Sequence, residues 1–220
     1  MILIIAIDGP AGAGKSTVAK LVAQRLDFLY LNTGAMYRAI TLKALKEGID
    51  LNNGDILAEL ARKTKIDFEV GSGQVILDGD DVSQDIKKPE IDRNISTVVK
   101  HPQLREVMVR QQQSIGINNN IVVEGRDITT VVFPKAEIKI YLDASIEERA
   151  KRRHAELREK GYNIDLAQVI KETSKRDEAD KTREHGALKV AHDAILLDTT
   201  GMSIEQVVES ILEVVEKPKS

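Results

Sequence analysis

The run "ILIIAIDGPAGAGKST", residues 2–17, limits what this chain can fold into more than any other stretch. Its first six residues are continuously apolar, which suits a strand buried on both faces. Gly9-x4-Gly14-Lys15-Ser16 then satisfies G-x-x-x-x-G-K-[ST]. After it, Val18, Leu21, Val22 and Leu26 recur at helical spacing. Strand, Gly-rich loop and amphipathic helix, in that order, form the context in which this motif grips polyphosphate. The glycines let backbone N–H groups turn inward, and the helix N-terminus adds partial positive charge. Lys15 is spaced to reach the β- and γ-phosphates, and the Ser16 hydroxyl to touch Mg²⁺.

A strand buried on both faces needs parallel neighbours and helices above and below it. The rest of the sequence supplies them. "FLYL" (28–31) reads as a second strand. Thr33 is the expected cap of a helix through "GAMYRAITLKALKEG", which Gly48 ends. Residues 52–64 read as another helix. From 66 the pattern changes to short runs, "IDFEV", "QVIL" and "DVS", parted by "GSG" and "DGD". Those are hairpin signals. Helices resume near Pro89 and after Pro102. "NIVVE" (120–124), "EIKIYLD" (137–143) and "AILLDT" (194–199) read as strands. "SIEERAKRRHAELREKG" is a highly charged helix or lid, and a long polar helix covers roughly 164–185. "SIEQVVESILEVV" is the last amphipathic helix, and "EKPKS" a frayed tail. The expected fold is α/β, a five-stranded parallel sheet covered by helices with a small antiparallel β insertion and a short helical lid. Its core would take residues 1–50, 100–148 and 164–216, the insertion about 52–98 and the lid about 149–163.

The net charge of −3 over 220 residues supplies no global basic field to draw in nucleic acid or a membrane surface. There is no cysteine, which excludes disulfides and thiolate zinc sites and fits a reducing compartment. The apolar run at 1–7 is short for a secretory leader and lacks a basic start, and no segment approaches the roughly 20 apolar residues of a membrane span. The expectation is a cytoplasmic monomer whose partners are small molecules. His101, His154, His185 and His192 show no metal-ligand spacing.

The phosphate loop alone does not say where a phosphate goes next. "TKID" (64–67) and "DTTG" (198–201) match two GTPase patterns, but in the wrong order, and "TKID" leads into a strand rather than ending one. We treat both as chance. Basic residues offer a better answer. Arg38 follows the second strand, and Arg126 of "EGRD" follows the third, so both lie at the carboxyl edge of the sheet, where open parallel sheets bind ligands. Arginine suits a phosphate through bidentate hydrogen bonds. Arg176, Asp180 and Arg183 are spaced to share one helical face, as a charged cleft wall or as a solvated face. Arg149, Arg152 and Arg153 share another, as a solvated helix or as a lid closing over transferring phosphates. A phosphate acceptor that is already largely dianionic needs no general base. Three readings stay open on the residues alone: a kinase for a monophosphate, a kinase for a small hydroxylated acceptor, and an ATP-hydrolysing switch.

Taken together, "IDGPAGAGKST", "NTGAMYRA", "STVVKHPQLRE", "EGRDITTVVFP", "KIYLDAS-EERAKRR" and "KRDEADKTR" resemble the bacterial cytidylate kinases, in order and from residue 2 to about 215. The resemblance implies transfer of the ATP γ-phosphate to CMP or dCMP with Mg²⁺. It implies that Gly9, Pro10, Ala11, Gly12, Ala13, Gly14, Lys15, Ser16 and Thr17 hold ATP, with Ser16 touching the metal. Arg38, Arg126 and Arg183 would bind the acceptor phosphate. Lys15, Arg126 and Arg183 would be the catalytic cations. Arg176 and Asp180 would meet the sugar. Ser96, Arg105 and Asp127 would read the base, Thr33 would also belong to the CMP site, and Arg149, Arg152, Arg153 and Arg158 would belong to the lid. Asn32 stands where that family suggests an acid, and Thr129 where glycine is common.

Overall fold

The structure, a computed structural model, describes residues 2–69, 73–159 and 161–216. The expected tail beyond Glu216 and part of the "GSG" turn lie outside the described residues. Five parallel strands form the main sheet: β1 (Ile4–Asp8), β2 (Leu29–Asn32), β6 (Ile121–Glu124), β7 (Ile138–Asp143) and β8 (Ile195–Asp198). Their order is β2-β6-β1-β7-β8. β1 is therefore central, with Ile5 opposite Val122 on one side and Ile138 on the other.

Alternation along these strands feeds two apolar layers. Ile5, Ile7 and Val122 pack with Val18, Ala19 and Val22 of α1 (Lys15–Leu26) and with Val207, Val208 and Ile211 of α8 (Ile204–Glu216). Ala6, Ile121 and Val123 point the other way. There they meet α2 (Thr33–Lys46), α3 (Gly54–Lys63) and α5 (Pro102–Gly116). Burial on both faces is why β1 and β6 read as apolar runs, whereas β8 at the edge leaves Ile195 and Leu196 exposed.

The expected insertion is an antiparallel sheet of β3 (Ile66–Phe68), β4 (Val75–Leu77) and β5 (Asp80–Asp81). Asp78 and Gly79 form the two-residue turn between β4 and β5, both with positive φ, as the "DG" pair demands. Val75, Leu77, Val82 and Ile86 join the same apolar layer as α2, as does Ile91 of α4 (Pro89–Val98). The insertion thus roofs the carboxyl edge of the sheet without a core of its own. α6 (Ile146–Glu159) is the charged helix, and α7 (Leu166–Thr182) follows it.

Two local expectations change. The cap of α2 is Asn32, not Thr33: the Asn32 side chain accepts from the Ala35 N–H at 2.8 Å. Thr33 is already helical, and its hydroxyl donates to the Glu124 carbonyl at 2.9 Å. Arg183 does not continue the face of Arg176 and Asp180, because α7 ends at Thr182 and Arg183 has extended backbone, φ −58° and ψ 133°.

The cap predicts a stability effect. Asn32→Ala should lower unfolding free energy by about 1 kcal/mol in urea titrations, and Asn32→Asp should retain most of it. An alanine variant as stable as the parent would contradict the assignment.

Candidate functional site

β1 ends at Asp8, and the chain wraps around Gly9–Gly14 before α1 begins at Lys15. Gly14 caps the helix in the left-handed region, φ 86°, which leaves the first N–H groups of α1 facing the loop. The loop has no side-chain cap of its own. A helix start left open in this way suits an anion.

Lys15 is almost wholly buried and donates to the Pro10 carbonyl at 2.8 Å. Burial pushes its ammonium down to about 7, helped by the nearby Arg126 charge and opposed by Glu124 and Asp8. Ser16 donates to Glu124 at 2.7 Å. Glu124 is buried at the end of β6, beside the loop because β6 is the parallel neighbour of β1.

Asp8 joins the loop to the turn after β6. Its buried carboxylate accepts from the N–H groups of Ile128 (2.9 Å) and Thr129 (2.8 Å) and from the Thr129 hydroxyl (2.6 Å). These bonds cap a single π-helical turn, Ile128–Val132, and hold Arg126 and Asp127 beside the phosphate loop. Thr129 thereby contributes a bond that glycine lacks. Burial raises the Asp8 carboxyl from its ordinary value, while the three bonds work the other way.

A cleft of about 1750 Å³ opens between this edge of the sheet, the insertion and α7. It is lined by Ser16, Thr17, Thr33, Arg38, Ser96, Arg105, Arg126, Asp127, Arg176, Asp180 and Arg183. All the residues expected to hold the acceptor are therefore brought to one space. Asp180 is the hub: one oxygen takes Arg126 Nε at 2.7 Å and the other takes Arg183 at 2.5 Å. Burial acts to raise its carboxyl, but the two guanidinium charges outweigh it and hold the group below its ordinary value. Arg38 donates to the Ile86 carbonyl at 3.0 Å and pairs with Asp92 of α4, which ties it to the insertion.

Deeper in the cleft, Arg105 of α5 forms an ion pair with Asp127. Both are buried. Arg105 also lies over the Tyr37 ring, 5.7 Å from its centroid. Burial pushes the Asp127 carboxyl up, and Arg105 and Arg183 oppose that shift. The pair is a fixed donor beside a fixed acceptor.

The charged helix is less uniform than its sequence. Arg149 is buried against the phosphate loop, donating to the Ala11 carbonyl at 3.0 Å. Arg152 donates to the Thr199 carbonyl at 2.9 Å and passes close to Gly14. Arg153 pairs with Glu156 at 3.0 Å. Arg158 stands with His154 at a separate small hollow formed by residues 163–166. Sequence reasoning missed Asp8, Tyr37, Glu124 and Asp177. Glu124 left a trace, as an acid ending a strand beside the loop strand. Among the described residues, no group of three or more His, Cys, Asp or Glu side chains is arranged to hold a metal, and no helix is long and apolar enough to cross a membrane.

Comparison with known proteins decides the family. The family model "Cytidylate kinase" matches residues 5–217. The chain belongs to the cytidylate kinase family. The cytidylate kinase of Desulforamulus reducens is 53% identical over 216 residues, covering 98% of this chain and 97% of that protein. The cytidylate kinase of Bacillus velezensis is 49% identical over 217 residues, with 98% and 97% covered. Among solved structures, shikimate kinase from Bacteroides thetaiotaomicron aligns over 99% of this chain and 100% of its own, with a TM-score of 0.50 and 12% identity. That likeness shows the P-loop kinase fold alone. As a family member at this coverage, the protein is a phosphotransferase.

The Asp180 hub predicts a measurable cost. Asp180→Asn keeps the shape but leaves two guanidinium groups without their counter-charge. It should lower stability by ~2 kcal/mol, below the range for a fully buried pair because both arginines stay partly exposed. Urea titration checks this, and an unchanged midpoint would remove Asp180 as the hub.

Proposed function

We propose that the protein transfers the γ-phosphate of ATP to CMP or dCMP, giving ADP and the diphosphate. The observation that carries this reading is the buried Arg105–Asp127 pair facing the same cleft as the phosphate loop. Cytosine presents an N4 amine donor beside the N3 and O2 acceptors. An ionised carboxylate only accepts, so Asp127 suits the amine, and a guanidinium only donates, so Arg105 suits N3 and O2. Ser96 on the cleft wall adds a further polar contact. Uracil reverses two of these positions and would set a carbonyl against Asp127 and an N–H against Arg105.

The phosphate chemistry follows from the cations. The acceptor's phosphate is largely dianionic at neutral pH and attacks without a general base. Arg38, Arg126 and Arg183 would bind it in the place where Asp92 and Asp180 hold those side chains, and Arg176 with Asp180 would meet the sugar. Lys15 and Arg126 would stand on the transferring group and neutralise the charge that develops on it. Mg²⁺, when bound, would supply Lewis-acid neutralisation of phosphate charge. The donor set fits that ion. Mg²⁺ in nucleotide sites is held by one or two protein oxygens plus phosphates and waters, not by a protein cage. Ser16 would be its direct ligand, and Glu124, bonded to that hydroxyl, would orient it.

Three measurements test the reading. Wild-type kcat/KM for CMP should exceed that for UMP at least about tenfold, since one unpaired contact is enough at 1.4 kcal/mol per decade. Asp127→Ala should lower CMP turnover more than UMP turnover and narrow the gap. A wild type that prefers UMP, or a variant that keeps the full preference, would overturn the assignment.

Lys15→Ala should lower kcat at least about 10²-fold in a folded protein, on the scale of one preorganised charge-stabilising contact. Near-normal turnover would refute its role.

The third follows from the depressed Lys15 ammonium. With its value at about 7, Lys15 is mostly neutral at pH 8. A polyphosphate beside it favours the charged form, so ATP binding at pH 8 should take up a large part of one proton, and uptake should fall as pH drops below 7. Calorimetry in two buffers of different ionisation enthalpy reads this directly. Proton release, or uptake that persists in Lys15→Ala, would contradict it.

A further inference from the structure

Arg149 and Asp177 are both buried, and neither is among the residues assigned above to the donor or acceptor phosphates. Arg149 sits in the first turns of α6. Its Nε donates to the Ala144 carbonyl at 2.9 Å, its Nη1 donates to the Ala11 carbonyl at 3.0 Å, and Nη1 also lies 2.7 Å from Asp177 Oδ2 of α7. One guanidinium therefore joins three elements: the end of β7, the phosphate loop and α7. The loop is closed tightly onto this residue. A Cβ at Gly12 would come within 2.9 Å of the Arg149 carbonyl and 3.0 Å of its Cβ. Gly12 also has φ 78°, so the backbone at the contact admits no other residue without strain.

The geometry of the ion pair argues against a simple folding bridge. An arginine and a carboxylate pair best through two parallel bonds. Here Arg149 divides one nitrogen between the Ala11 carbonyl and Asp177 Oδ2. The other oxygen, Asp177 Oδ1, is buried with no hydrogen-bond partner. A buried acceptor is left unused so that the guanidinium can stay on the loop carbonyl. Holding that carbonyl would fix the loop backbone just ahead of the α1 N-terminus, whose N–H groups can meet an anion.

We propose that Arg149 and Asp177 form a positioning pair that holds the phosphate loop in its binding shape, in place of a lid role for Arg149. In this role Arg149 acts through the Ala11 carbonyl. Asp177 lies one helical turn before Asp180, so α7 braces the donor loop through one carboxylate and the acceptor arginines through the next.

This rests on the reading of Gly9–Thr17 as the ATP site, and the test separates the two. Binding of MgATP is measured by calorimetry without any acceptor, on the full chain and on Asp177→Asn and Arg149→Lys, alongside melting temperature and CMP binding. Asp177→Asn keeps the shape and removes the charge. Arg149→Lys keeps the charge but cannot reach Ala144 and Ala11 together. Both variants should bind MgATP at least about fivefold more weakly, the worth of roughly one hydrogen bond, and bind CMP within about twofold of the parent. Amide exchange at residues 11–15 should quicken in both. Variants that melt lower yet bind MgATP as tightly as the parent would make the pair a folding bridge and overturn the proposal. So would loss of folding in both, which would make the pair a requirement of the fold. MgATP binding without CMP phosphorylation in the parent would sink the CMP kinase reading and leave this inference standing.

Discussion

A concentration of positive charge at one edge of a parallel sheet is the constraint on which the rest of the structure depends. Lys15, Arg38, Arg105, Arg126, Arg176 and Arg183 come from separate stretches of chain, and uncompensated they would repel one another. Buried or half-buried carboxylates answer them: Asp180 for Arg126 and Arg183, Asp92 for Arg38, and Asp127 for Arg105. In the proposed function, each pair would fix a side chain where an anionic substrate needs a donor. In that reading the acids would hold the site ready while competing with the anion it binds.

The scaffold puts those groups together by simple means. β1 and β6 are parallel neighbours, so the loop after one and "EGRD" after the other end on the same edge. Asp8 locks the two turns together through three hydrogen bonds. The insertion needs no independent core because its apolar residues complete the layer begun by α2 and α5. That shared packing brings Asp92 and Ser96 over the cleft.

The strands and the phosphate loop were legible in the sequence because their signals are local. An unbroken apolar run, a Gly-rich motif and an "Asp-Gly" pair each carry their conformation within a few residues. The identity of the cleft cations was legible too, since residue type and strand ends are both visible. Their partners were not. Asp180 lies 54 residues from Arg126, and Asp92 lies 54 from Arg38, and only the packed fold sets which acid meets which base. The same holds for Arg149, whose charged helical neighbours read as solvent-facing while its own side chain is buried under the loop. The helix cap moved by one residue for a comparable reason. Asn32 and Thr33 are both good caps, and a distant carbonyl, that of Glu124, takes the Thr33 hydroxyl.

If the cleft is built to complete itself around an acceptor dianion, ATP alone should be a poor substrate. The direct test is the rate of ADP formation from ATP with no acceptor, and then with each common nucleoside monophosphate in turn. The expected result is a protein nearly idle with ATP alone and turning over with CMP and dCMP. ADP formation at the same rate with and without any monophosphate would contradict it, and would mark the protein as an ATP-hydrolysing switch.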